Sequence, residues 1–177
     1  FINTHCHLEL SHLKNKIRRG KKLDGFIRDF VTARKEYSAN IRELAEEADK
    51  KMWEQGIQAV GDICNTNDTF EIKKNSPIRY HSFIELFNLQ VKESDIIFST
   101  GNDLCESAII SHHRASIVPH APYSVPPQLF QLITVHHQKI NSPWSIHNQE
   151  SRAENELFQF GNGVLLEHFE SMGIELN

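Results

Sequence analysis

A chain of 177 residues with 39% hydrophobic content can bury one core of ordinary size and has the composition of neither a disordered nor a fibrous protein. Its formal charge of −4 and pI near 6.3, with acidic and basic residues interspersed, argue against a nucleic-acid or anionic-membrane surface and suit a small, roughly neutral ligand. Three well-separated cysteines, Cys6, Cys64 and Cys105, fit a reducing compartment; with no membrane-length apolar run and no signal-peptide start, the expected location is the cytoplasm.

Residues 1–8 read as a strand, followed by a long polar loop running through the basic stretch 18–22. From Asn40, the residues Ile41, Leu44, Ala45, Ala48 and Met52 recur at helical spacing until Gly56 supplies a stop. A second strand is expected at 57–63, ending in the polar cluster 65–68, a third at 80–87 and a fourth at 116–119. Ser124, Pro126 and Pro127 mark a helix start continued by 129–139. A fifth strand is expected at 144–147, a capping box at Ser151-Arg152-Ala153-Glu154, and a last helix at 164–172 before Gly173.

Strand starts near 1, 57, 80, 116 and 144, with helical segments between most of them, force parallel pairing. The expected fold class is α/β, a (β/α)8 TIM-type barrel. A full barrel takes roughly 250 residues, so residues 1–177 are expected to form one partial barrel domain holding about the first five units.

Histidine is abundant, with eleven copies. His112-His113 and His136-His137 stand beside polar residues near expected helix ends, where a solvated or capping role is expected. His5 and His7 differ: two apart on a strand, they share a face while Cys6 turns away. At the C-terminal end of a barrel strand such a pair can chelate a divalent metal, although spacing alone would equally describe two solvated edge residues. His147-Asn148-Gln149-Glu150 offers a third imidazole and a carboxylate. A bound metal makes hydroxide available near neutral pH, and a carboxylate beside it can carry the proton. Taken alone, Glu150 would read as a helix N-terminal carboxylate. Glu85 interrupts an apolar strand and is either a substrate contact or an outward or salt-bridged residue. Asp62 and Asn65 sit on the expected rim, where turn chemistry explains them equally well; Glu154 reads as a cap.

The stretches 1–11 (Phe-Ile-Asn-Thr-His-Cys-His-Leu-Glu-Leu-Ser), His120-Ala121-Pro122-Tyr123-Ser124-Val125 and Ile146-His147-Asn148-Gln149-Glu150-Ser151 together resemble the amidohydrolase superfamily. The likeness is to its cytosine/guanine deaminase and chlorohydrolase-like branch, which includes aminodeoxyfutalosine and adenosine-type deaminases. The resemblance implies His5 and His7 as first-strand metal ligands, His147 as the fifth-strand ligand, Glu150 as proton shuttle and His120 as a substrate contact. It implies one divalent metal ion, with Zn2+ ahead of Fe2+, and hydrolytic deamination of a purine-like or other N-heterocyclic small molecule. A homodimer is compatible with this reading; nucleic acid and membrane are not expected partners.

That branch also uses a sixth-strand histidine and an eighth-strand aspartate, for which the sequence has no match. His168 lies in a helical segment too soon after the fifth strand, and no suitable aspartate follows Asp103. The amino-terminal β-sandwich usual in the branch is unmatched too. The chain is therefore expected to be an excerpt and, alone, a poor catalyst. Two alternatives remain: the opening residues 3–8 are also similar to TatD-like metal-dependent nucleases, and a degenerate barrel could bind a metabolite without turnover.

Overall fold

The computed structural model describes residues 1–18, 20, 23–37, 40–89, 91–111 and 113–174. They form two compact units, one of Phe1–His12 with Ala39–Ile146 and one of Leu13–Ser38 with His147–Asn177.

The first unit is built on a four-stranded parallel sheet in the order β1 (Ile2–Cys6), β2 (Ala59–Cys64), β3 (Arg79–Leu86) and β4 (Arg114–Pro119). Sequential order with every pair parallel requires a crossover after each strand. The crossovers within this unit carry α2 (Ile41–Glu54), the short α3 (Phe70–Asn75) and α4 (Ser94–Ile110), and β4 is followed by α5 (Pro127–Ile140). Pro126 and Pro127 open α5 as expected, because a missing N–H costs nothing in a first turn.

Strand alternation divides the sheet's side chains. Val60, Tyr80, Cys64, Ile84, Leu86 and Ile117 join buried clusters with residues of the helices, including Ala45, Ile72, Ala108, Leu129 and Ile133. The alternate positions Ile63, Phe83 and Val118 form a separate cluster on the opposite face. A sheet apolar on both faces is what a parallel barrel wall demands.

In the second unit, α1 (Leu23–Glu36), α6 (Arg152–Phe160) and α7 (Val164–Ser171) lie together. Ser151 is the N-cap of α6, its hydroxyl accepting from the Glu154 N–H at 3.2 Å. The Glu154 carboxylate accepts from the N–H of Glu150 at 2.9 Å, one residue before the partner a capping box would use. His168 falls within α7, the helical setting expected of it.

Three sequence expectations need correction. The long loop after the first strand is instead a 3-10 turn at Leu8–Leu13 and the 14-residue helix α1; of the basic stretch, residues 19, 21 and 22 lie outside the described residues. In α1, Phe26 and Phe30 stand one turn apart with stacked rings 6.1 Å between centroids. The expected fifth strand at 144–147 forms no ladder; residues 141–148 are without helix or strand. Asn141 ends α5 in a left-handed conformation (φ 43). Pro143 has no N–H to give, its carbonyl accepts from Ser116 Oγ at 3.0 Å, and the Trp144 ring lies 4.1 Å from that of His137. Side chains, not a ladder, hold this segment. Finally, His137 is not a surface residue: it is 5% exposed, with Nε2 donating to the Ile117 carbonyl and Nδ1 accepting from Ser142 Oγ. His112, its counterpart in the other pair, lies outside the described residues. No described helix is long and apolar enough to cross a membrane.

Candidate metal and substrate site

The candidate residues of the first unit gather at the C-terminal ends of the strands, the edge that carries active sites in parallel barrels. His5 lies within β1 and His7 just past its end. Their Nε2 atoms are 3.2 Å apart, with the rings edge to face at 66°. Two nitrogens bound to one tetrahedral zinc at roughly 2.0–2.1 Å stand about 3.3 Å apart. The pair therefore has the spacing of two neighbouring ligands on one ion, and the donor set of neutral imidazoles suits zinc or iron.

The turn that follows is fixed from two sides. Asp62, fully buried in β2, accepts from the Leu8 N–H at 2.7 Å. Glu9, 4% exposed, accepts through Oε2 from the N–H of Asn65, the N–H of Thr66 and the Thr66 hydroxyl, each at 3.1 Å. Burial pushes the Glu9 carboxyl above its ordinary range, against the pull of those donors. Asn65 in turn donates from Nδ2 to the Glu85 carbonyl at 2.9 Å. Asp62 is thus a buried structural anion within the strand rather than a rim or turn residue.

Glu85 is near the end of β3 and 7% exposed, which corrects the outward-facing alternative. A Glu85 carboxylate oxygen and a ring nitrogen of His120 lie within 4.8 Å of each other. His120 follows β4 directly. Its Nδ1 is 2.5 Å from Ser124 Oγ, which itself donates to the Ala121 carbonyl at 3.2 Å. Since the serine has one proton to give, Nδ1–H is the donor to Ser124, and Nε2 is the lone-pair nitrogen of the neutral ring. Phe87 and Tyr123 flank this ring at centroid distances of 5.8 and 5.9 Å. An acid, an imidazole of fixed tautomer and two aromatic faces can hold a flat heterocycle bearing N–H groups.

In the second unit His147 and Glu150 are brought together by a tight turn. Gln149 takes a left-handed conformation (φ 57), which folds the chain back so that Glu150 Oε1 accepts from His147 Nδ1 at 2.6 Å. Nε2 becomes the lone-pair nitrogen of His147, the arrangement usual in metal-binding histidines. Ser124 and Asp62 are the positioning groups that sequence reading passed over or misread. A charge inside an apolar strand was the available signal for Asp62; nothing local marks Ser124 as the partner of His120.

No protein-family model matches the chain, and no curated protein matches it. Solved structures do. The aminofutalosine deaminase of Helicobacter pylori in complex with methylthio-coformycin is similar at a TM-score of 0.84 and 22% identity, covering 96% of this chain and 42% of that one. The atrazine chlorohydrolase of Arthrobacter aurescens complexed with zinc is similar at 0.69 and 17%, covering 97% of this chain and 45% of that one. At these identities the likeness establishes the fold alone, part of a parallel β/α barrel. The chain spans less than half the length of these structures.

Proposed function

We propose that this chain supplies the metal-binding front part of a hydrolase that deaminates a purine-like or other N-heterocyclic small molecule. The observation that carries the proposal is the 3.2 Å spacing of the His5 and His7 Nε2 atoms at the strand ends of a parallel barrel sheet. In this reading His5, His7 and His147 hold one divalent ion, zinc ahead of iron. Such an ion supplies hydroxide at neutral pH by lowering the pKa of a coordinated water.

The protein's own groups divide the remaining work. Glu150 carries the water's first proton to the ring nitrogen and its second, from the hydroxyl left on the attacked carbon, to the amino group, which departs as ammonia. His120, held as the Nδ1–H tautomer by Ser124, accepts from a substrate N–H through Nε2, and Glu85 beside it binds a second polar edge of the ring. The methylthio-coformycin bound to the similar aminofutalosine deaminase and the zinc bound to the similar atrazine chlorohydrolase support this assignment. Three free cysteines suit a cytoplasmic setting, and the partner is a small molecule.

Elemental analysis and turnover of the protein in its full-length form test the reading. His5→Ala or His7→Ala should lose the metal, whereas Glu150→Gln should keep it while turnover falls by about 10²–10⁴-fold. Metal retained by both histidine variants, or near-normal turnover by Glu150→Gln, would defeat these roles. Assaying ammonia release from aminopurines beside cleavage of DNA separates the deaminase from the nuclease alternative.

A further inference from the structure

The ladder between β1 and β2 is irregular. Asn3 is opposite Val60, but Cys6 is opposite Asp62, so three steps along β1 match two along β2. One extra residue is accommodated at Thr4–His5, a bulge immediately before the histidine pair. Two features of β2 permit it. Gly61 leaves room for the displaced backbone: a Cβ there would meet the Thr4 carbonyl oxygen at 2.6 Å and the Phe83 ring at 2.9 Å. Asp62 then reaches past the irregularity to accept from the Leu8 N–H at 2.7 Å, a donor that the 3-10 turn starting at Leu8 leaves without an internal partner.

The Asp62 carboxylate is itself immobilised. Lys73 of α3 lies 2.5 Å from Oδ2, and both side chains are fully buried. Its ammonium also donates to Ser82 Oγ at 3.0 Å and approaches Cys64 Sγ at 3.7 Å. The chain of contacts runs from α3 through Asp62 to the backbone immediately after His7.

We infer that Asp62, locked by Lys73, is a positioning residue that pins the β1 bulge through the Leu8 N–H and so sets the His5–His7 chelate spacing. The inference rests on the reading of His5 and His7 as metal ligands. It assigns work to a buried ion pair that could otherwise be replaced by apolar residues at little cost to stability.

Two charge-balanced double variants separate the hydrogen-bond acceptor from the charge. Asp62→Asn/Lys73→Met keeps a carbonyl oxygen where Leu8 N–H can reach it; Asp62→Leu/Lys73→Met keeps none. Zinc affinity by competition with a chromophoric chelator, and the visible spectrum of the cobalt-substituted protein, are measured beside the thermal midpoint. The asparagine variant should bind zinc within a few-fold of the parent protein. The leucine variant should bind roughly 10–100-fold more weakly, the usual effect of losing a group that orients a ligand, and should show an altered cobalt spectrum. Equal affinities and equal spectra in the two variants would overturn the inference while leaving the metal reading intact. A parent that binds no zinc, or binds it equally well after His5→Ala, overturns that reading and this inference with it. Amide exchange in the parent is independent of whether the variants fold: Leu8 N–H should exchange as slowly as the amides of β2, and rapid exchange counts against the clamp.

Discussion

The His5–His7 pair at the end of β1 and the His147–Glu150 pair in the turn at 147–150 are each in close contact, but the two are held by different means. At β1, the groups that fix His5 and His7 come from far along the chain: Asp62 from β2, Lys73 from α3, and the Asn65–Thr66 turn gripping Glu9. At 147–150 the contacts described are local: Gln149 in the left-handed region, the His147–Glu150 hydrogen bond, and Glu154 one turn into α6. The carboxylates that accept these bonds differ in burial, Asp62 at 0% side-chain exposure beside Lys73 and Glu150 at 53%. A ligand set from distant parts of the chain is rigid only while the fold persists; a local turn can form, and relax, on its own.

The comparison is broken most severely at Lys73. Burial works to lower its pKa, but the Asp62 carboxylate, with Cys64 and Glu9 adding to it, outweighs that and holds the ammonium above its ordinary value. Lys73→Met leaves Asp62 charged and without its cation, and should cost about 3–5 kcal/mol in urea unfolding. The Asp62→Asn/Lys73→Met double variant should recover most of that loss, and a double variant no more stable than the single one would show that the pair is not the unit.

A smaller contrast separates two of the buried glutamates, Glu9 and Glu154. Glu9→Ala deprives the Asn65 and Thr66 N–H groups of their acceptor and should cost about 1–3 kcal/mol of global stability. Glu154→Ala removes the acceptor for the Glu150 N–H and should act locally, speeding amide exchange at Glu150 while moving the unfolding midpoint less than Glu9→Ala does. A global effect from Glu154→Ala as large as that from Glu9→Ala would erase the distinction between distant and local support.

Acid should act on the first unit. Burial lowers the pKa of His81, with the Arg114 charge adding to it, and burial likewise lowers those of His113 and His136. Each ring is therefore held neutral in the fold. Their contribution is intact above the ordinary histidine value of about 6.5 and is lost as pH falls through the lowered values. Urea midpoints should drop between about pH 7 and pH 5, and His81→Gln should flatten that slope.

The smallest effect is expected at Gln149. A glutamine at φ 57 is strained by about 1 kcal/mol, so Gln149→Gly should leave stability unchanged or slightly raised while loosening the His147–Glu150 contact, visible as faster amide exchange at Glu150. Marked destabilisation would mean that the Gln149 side chain itself supports the turn.

Most of the sheet was legible before any coordinates. β2, β3 and β4 begin within two residues of where the apolar runs place them, because a strand buried on both faces needs a short apolar run whatever surrounds it. The candidate residues were legible as types and spacings: His5 with His7, Glu85 as a carboxylate in an apolar strand, His120 at a strand end, His147 with Glu150. Helix α1 was obscured by the basic stretch before it, although Phe26 and Phe30 already carried its period.

The amino-acid order by itself determined the strand–helix alternation, the parallel sheet and the identity of the candidate groups, since these follow from periodicity over a few residues. Only the tertiary structure decided the rest: that 144–147 adds no fifth strand because side chains hold it, that β1 carries a bulge opposite Gly61, and that Asp62 is paired with Lys73 in the interior rather than turned to the rim. Each of those depends on which distant group arrives to accept a hydrogen bond or balance a charge, and no local pattern encodes that.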